Sequence, residues 1–292
     1  MIDLVRPRRS VLYMPGSKPR ALEKARGLAA DALILDLEDA VAPGEKVTAR
    51  EGVVAALAEG GYGPRETVVR VNGLDTEWGA ADLDAAAATG ADAILVPKVE
   101  SAAMVAEVER RMIAAGAPDS MLVWAMMETP LGVLRADEIA QASARMGCFV
   151  MGTNDLVKDL GADHMPGRES VLTSLGLCIL AAKAHGLAIV DGVHNAFRDL
   201  DGLRASCEQG RAMGFDGKTL IHPAQLDVAN EVFAPDAAAL ERARVEVAAY
   251  AEAEARGEGV AVVDGRIVEN LHAEAARRLI ARAEAIAAME AA

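Results

Sequence analysis

Cysteine is scarce in this chain. The three that occur, Cys148, Cys178 and Cys207, lie far apart, are odd in number and form no CxxC pair. A disulfide framework and a zinc knuckle are both disfavoured, and a reducing compartment suits the composition better. Positive charge is also short, with 30 Lys and Arg against 44 Asp and Glu and a formal net charge of −14. A molecule of that charge repels nucleic acid and anionic membrane surfaces, so an anionic ligand has to be drawn by local basic groups or a metal. No apolar run is long enough to span a bilayer, the stretch 174–190 being broken by Lys183 and His185. The opening MIDLVRPRRS carries arginines with no signal-type apolar core behind them, and the expected location is the cytoplasm. No GxGxxG opens a helix after the first strand and no Walker lysine arrangement occurs, which argues against dinucleotide binding and nucleotide triphosphate hydrolysis.

What is present is a rhythm. Across 292 residues, 52% hydrophobic and 25% charged, short runs of Val, Ile and Leu alternate with polar or Gly/Pro loops and alanine-rich helical segments. Eight strands are expected, near 10–13, 32–37, 67–71, 93–96, 121–126, 148–151, 188–190 and 218–221. Strands alternating with helices imply a parallel sheet, and eight of them suggest a closed barrel, with a doubly wound open sheet as the alternative. A helix is expected over 135–145, between the fifth and sixth strands. The barrel domain is expected to occupy 1–235. Beyond Pro235 the pattern changes to a helix (236–256), a short apolar piece (260–263) with a turn at Asp264-Gly265, and a last helix (270–288), a C-terminal extension over 236–292.

In a barrel, chemistry belongs at the C-terminal ends of the strands. Two of the apolar runs end in acids: Glu128 directly, and Asp155 after Gly152-Thr153-Asn154. Two carboxylates with few other ligands suit magnesium, which keeps waters or substrate oxygens in its octahedron, whereas zinc asks for His or Cys. The same residues also read as surface or helix-capping acids. Arg70 and Asn72 close the third strand, and a guanidinium there offers a planar fork to a carboxylate or thioester oxygen, or a salt bridge to a neighbouring acid. Arg9, before the first strand, is similarly ambiguous. The loop Pro15-Gly16-Ser17-Lys18-Pro19-Arg20 leads into a helix and could hold phosphate through Lys18. Asp36, Glu38 and Asp39 crowd the end of the second strand, where they could hold metal-bound waters or arginines.

The phrases RRSVLYMPGS, LDLEDAVAP, VRVNGLDT, VPKVES, METPLGV, GTNDL, DGVHNAFRDLDGL and GFDGKTLIHPAQ, in that order, resemble the citrate lyase beta-subunit-like family of the aldolase superfamily of magnesium-dependent carbon–carbon lyases. Malyl-CoA and citramalyl-CoA lyases belong to that family. The resemblance implies a TIM barrel with a C-terminal extension that reaches a neighbouring subunit, assembled as a homotrimer or hexamer. It implies Mg2+ on Glu128 and Asp155, Arg70 at the substrate with Arg9 beside it, and Lys18 helping to hold coenzyme A. One departure stands out: Gly265-Arg266-Ile267-Val268-Glu269 carries a glutamate where malyl-CoA-type members have an aspartate. That acid is one methylene longer, and catalytic positioning is sensitive on the ångström scale.

The leading expectation is a magnesium-dependent lyase that cleaves or forms a 3-hydroxyacyl-CoA such as malyl-CoA or citramalyl-CoA. Arg70 would stabilise the oxyanion and Glu269 would protonate the enolate carbon. A malyl-CoA-type thioesterase on the same scaffold is the first alternative. A citrate lyase beta subunit acting on an acyl-carrier-protein thioester is the second.

Overall fold

The computed structural model describes residues 3–292. The chain divides into two units: Arg8–Phe233, and Asp3–Pro7 together with Ala234–Ala292. In the first, eight parallel strands close on themselves in sequence order. They are β1 (Ser10–Pro15), β2 (Ala32–Asp36), β3 (Glu66–Arg70), β4 (Ala93–Val96), β5 (Leu122–Met127), β6 (Met146–Met151), β7 (Ala188–Asp191) and β8 (Gly217–Leu220). The last pairs back onto the first, Ser10 against Lys218. Parallel neighbours need long crossovers, and helices such as Ala102–Ala114, Leu172–Ala184 and Leu200–Met213 supply them. The architecture is a TIM barrel.

Every residue of β2, β3, β4 and β6 is buried, because one face looks into the barrel and the other onto the helices. The inner face packs Val11, Ile34, Val68, Leu95, Trp124, Met126, Val150 and Val190 into one apolar plug. The outer face joins the helices in a larger cluster that includes Leu33, Val69, Ile94, Met112, Phe149 and Leu175. Each such side chain taken fully out of water contributes about 1.5–3 kcal/mol.

The helix expected over 135–145 is replaced by two shorter ones, Pro130–Leu134 and Ala136–Ala140. The start moves forward because Thr129 Oγ1 accepts from the Gly132 N–H at 3.1 Å and Pro130 presets the first turn.

The second unit opens with the helix Ala237–Ala255, capped by Asp236, whose carboxylate accepts from the Ala239 N–H at 2.8 Å. A hairpin follows, β9 (Val260–Val263) against β10 (Arg266–Glu269), and then the helix Asn270–Glu290. The second hairpin strand is absent from the expectation. Asp264 and Gly265 both take positive φ, 49° and 75°, which is the two-residue geometry that folds antiparallel strands back on each other. Tyr250, Ala253, Ala261, Val268 and Ala273 form the core of this unit. Among the described residues no helix is long and apolar enough to cross a membrane.

Candidate active site

Alternation along each strand decides which side chains reach the barrel axis. Ala32 and Ile34 of β2, Val68 of β3, and Trp124 and Met126 of β5 face inward. Asp36, Arg70 and Glu128 continue those same faces, each two residues further on. They meet, with Tyr13, Met126 and Asp155, around a cavity of about 290 Å³ at the C-terminal end of the strands.

Asp36 and Arg70 are register partners across β2 and β3. Arg70 Nε and Nη2 each donate to one oxygen of Asp36 at 2.6 Å, and Tyr13 lies under the guanidinium at 4.8 Å. The Asp36 oxygens also accept from the backbone of Glu38 at 2.9 Å and Ala40 at 3.1 Å, which bends the following loop back over the pair. The third Arg70 nitrogen, Nη1, meets Glu38 at 2.8 Å and the exposed Asp39 at 3.2 Å. Burial alone would lower the Arg70 pKa, but Asp36 and the Tyr13 hydroxyl hold it well above its ordinary value, so the cation is permanent. Its fork is spent on Asp36, and Nη1 is the edge left to exchange partners.

Glu128 follows β5 directly and is 3% exposed. Its Oε1 accepts the Lys98 N–H at 2.8 Å. Gly152 lets it lie close, since a Cβ there would stand 2.5 Å from Glu128 Oε2. Burial, then the charge of Glu38, pushes the Glu128 carboxyl up to about 7. Glu38 is itself raised to about 7 by burial, against a partly compensating pull from Arg70. Asp155 sits in the first turn of the helix Thr153–Asp159, with the Lys98 ammonium 3.7 Å away. Five carboxylates (Asp36, Glu38, Asp39, Glu128, Asp155) thus face three cations, Arg70, Lys98 and Lys46. The surplus is negative, and the raised carboxyls mark where a further cation would relieve it. Among the described residues no group of three or more His, Cys, Asp or Glu side chains is arranged as a metal cage. Two all-oxygen ligands beside an open cavity fit magnesium, which completes its octahedron with water and substrate.

Lys18 is exposed on the loop after β1, at the same end of the barrel, and starts the helix Pro19–Ala25. Arg9 and Asn72 are engaged within the protein. Arg9 precedes β1, at the opposite end of the barrel, where its N–H, Nε and Nη2 all donate to the buried Asp31 at 2.8–2.9 Å. It clamps the barrel floor and does not stand beside Arg70. Asn72 is 3% exposed, and its amide is consumed: Nδ2 donates to Leu37 O and to Asp82, and Oδ1 accepts from Lys46 Nζ at 2.7 Å. It braces the acidic loop. Glu269 belongs to the second unit, exposed at the end of β10, with its N–H bonded to His272 Nδ1 at 3.1 Å.

Several residues of the mouth escape the sequence reading. Tyr13 reads there only as a strand residue, Lys98 only as a strand end and Lys46 not at all, because their roles depend on which strands become neighbours. Lys46 donates to the carbonyls of Leu37 and Glu38 at 2.9 and 2.8 Å, holding the acidic loop from beneath. Asn154 and Asn195 exchange amide hydrogen bonds of 3.2 and 2.8 Å, tying the start of the helix Thr153–Asp159 to the loop after β7.

A closed parallel barrel whose strand ends gather carboxylates and a fixed arginine over a small cavity has the form of an α/β-barrel enzyme. Comparison with known sequences makes the class specific. The chain belongs to the HpcH/HpaI aldolase/citrate lyase family, whose profile matches residues 9–223. It is 61% identical to a (3S)-malyl-CoA thioesterase of Cereibacter sphaeroides, over 100% of both chains. It is 37% identical to citrate lyase subunit beta of Escherichia coli, over 96% of this chain and 94% of that one. Among solved structures it resembles the CitE protein of Mycobacterium tuberculosis in complex with magnesium, acetoacetate and coenzyme A. That match has a TM-score of 0.76 and 31% identity, covering 96% of this chain and 100% of the other.

Proposed function

We propose that this chain is a magnesium-dependent thioesterase that hydrolyses a short hydroxyacyl-CoA of the (3S)-malyl-CoA type. The observation that carries the reading is the 61% identity with the (3S)-malyl-CoA thioesterase along the whole of both chains. Motifs alone rank carbon–carbon cleavage first and hydrolysis second. Full-length likeness at that level reverses the order, and the 37% likeness to citrate lyase subunit beta keeps cleavage as the second reading.

Glu128 and Asp155 are the residues that would hold magnesium. When bound, the ion supplies positive charge that polarises a substrate oxygen. Arg70 supplies a second positive charge in the same cavity, and its clamp on Asp36 means that little reorganisation is needed as an oxyanion develops. The Nη1 edge binds the acyl carboxylate or the thioester oxygen by displacing Asp39, whose side chain is 65% exposed. Water adds to the thioester carbonyl carbon, the carbon–sulfur bond breaks, and the coenzyme A sulfur leaves with the proton that water loses. Glu269, offered by a neighbouring copy in a homotrimer or hexamer, is the proposed carrier of that proton. Its carboxylate is exposed and therefore available to a partner. Lys18 is the proposed contact for the phosphates of coenzyme A, as a compact mobile charge on the same rim.

Product analysis tests the reading. Purified protein given (3S)-malyl-CoA and magnesium should release free coenzyme A and the intact hydroxyacid. An oxoacid with a shorter acyl-CoA would overturn hydrolysis in favour of cleavage. Turnover of the free ester without partner chains would remove the reading as a subunit that acts on an acyl-carrier-protein thioester.

A further inference from the structure

Lys98 follows β4 with φ at +49°, a left-handed backbone that residues with a side chain rarely adopt. The conformation has a visible consequence. It aims the Lys98 N–H at Glu128 Oε1, 2.8 Å away, while the side chain reaches toward two other carboxylates. Nζ stands 3.7 Å from Asp155 Oδ1 and 3.8 Å from Glu38 Oε1. One residue therefore addresses three acids of the mouth, Glu128 through its backbone as well as its charge, and Asp155 and Glu38 through its charge.

The two kinds of contact differ in permanence. The backbone bond is short and buried. Both ammonium contacts lie beyond hydrogen-bond length and the side chain is 48% exposed, so they are Coulombic, water-softened and easily exchanged. Arg70 is the contrast: 8% exposed at the side chain and held by two 2.6 Å bonds, it cannot leave. A magnesium ion held by Asp155 would bring a second positive charge to a carboxylate that the ammonium already faces, and two like charges sharing it repel.

We propose that Lys98 competes with the divalent cation for the carboxylates of the mouth, neutralising Asp155 and Glu38 in the metal-free protein and swinging out to solvent when the metal binds. Its backbone stays in place and keeps Glu128 aimed. The ammonium thus lowers magnesium affinity and supports the metal-free fold. This inference rests on the magnesium reading of Glu128 and Asp155.

Calorimetric titration of the purified protein with magnesium chloride, without substrate, tests it together with thermal unfolding in EDTA. Lys98→Met and, independently, Lys98→Gln should tighten magnesium binding about five- to tenfold, as expected for losing two weak competing pairs. Both should melt at a lower temperature than wild type in EDTA. Lys98→Arg keeps the cation and should stay within about threefold of the wild-type affinity. Unchanged or weaker binding in the neutral variants overturns the competition while leaving the metal site standing. Wild-type protein that binds no magnesium overturns the metal site and this inference with it.

Discussion

Gly152→Ala puts the geometry of the acidic mouth to a direct test. A Cβ at position 152 would stand 2.5 Å from Glu128 Oε2 and meet the Glu128 Cβ more closely still. Comfortable carbon contacts begin near 3.5 Å, so the glutamate must retreat by about 1 Å. It has little room to do so, being 3% exposed and pinned through Oε1 by the Lys98 N–H. Overpacking of this kind costs about 1–3 kcal/mol of stability. For a domain of this size each kcal/mol lowers Tm by about 2–4 °C. A 1 Å displacement of a group at the reacting centre costs on the order of 100-fold in turnover. The expected variant is folded, melts a few degrees early, binds magnesium more weakly and hydrolyses (3S)-malyl-CoA about 100-fold more slowly. Gly176→Ala is the control: it sits in the helix Leu172–Ala184 with nothing within 4 Å of the new methyl, and should be neutral or slightly stabilising. Wild-type kcat and magnesium affinity in Gly152→Ala would refute the placement of Glu128 at the chemistry.

Asp155→Ala should abolish metal-dependent turnover while leaving the melting curve nearly unchanged, because its side chain is 26% exposed; full activity of this variant in EDTA would remove it from the metal site. Arg9→Met leaves Asp31 charged and buried without its clamp, and should cost about 3–5 kcal/mol in chemical denaturation with no change in KM; a raised KM would return Arg9 to the substrate. Burial raises the Glu128 carboxyl to about 7 and Glu38 adds to it, so below that pH a proton occupies what the cation needs. Magnesium affinity should therefore fall as pH drops from roughly 8 to 6, and a flat titration would contradict it. By the same shift the metal-free fold holds its proton more tightly than the unfolded chain, so its stability should decline as pH rises from about 4.5 to about 7. All three cysteines are buried, with Cys178 and Cys207 pushed up to about 12 and 11 by burial, so a thiol reagent should label none in the native protein and all three after unfolding.

The barrel was legible because its strands are buried on both faces and so stand out as uninterrupted apolar runs between alanine-rich helices. Glu128, Asp155 and Arg70 were legible for a related reason: an ionisable group where such a run stops has few purposes. The status of Arg9 and Asn72 was not, since each is a polar residue next to a strand, and only the folded structure shows the partners that occupy them, Asp31 for Arg9 and Lys46 with Asp82 for Asn72. The role of Lys98 was not legible because it rests on a backbone angle, which no residue pattern reports. The choice between hydrolysis and cleavage lay beyond the motifs, since both begin from one thioester in one cavity.

The apolar plug inside the barrel has a bearing on proton supply. Trp124, Met126, Val68 and their neighbours form an apolar layer between the mouth and the Arg8–Glu66 pair at the opposite end of the inner face. The mouth is therefore the polar approach to Glu128. Whatever spans that opening during turnover therefore governs access of the acyl group and sets the acid–base traffic of the reaction as well.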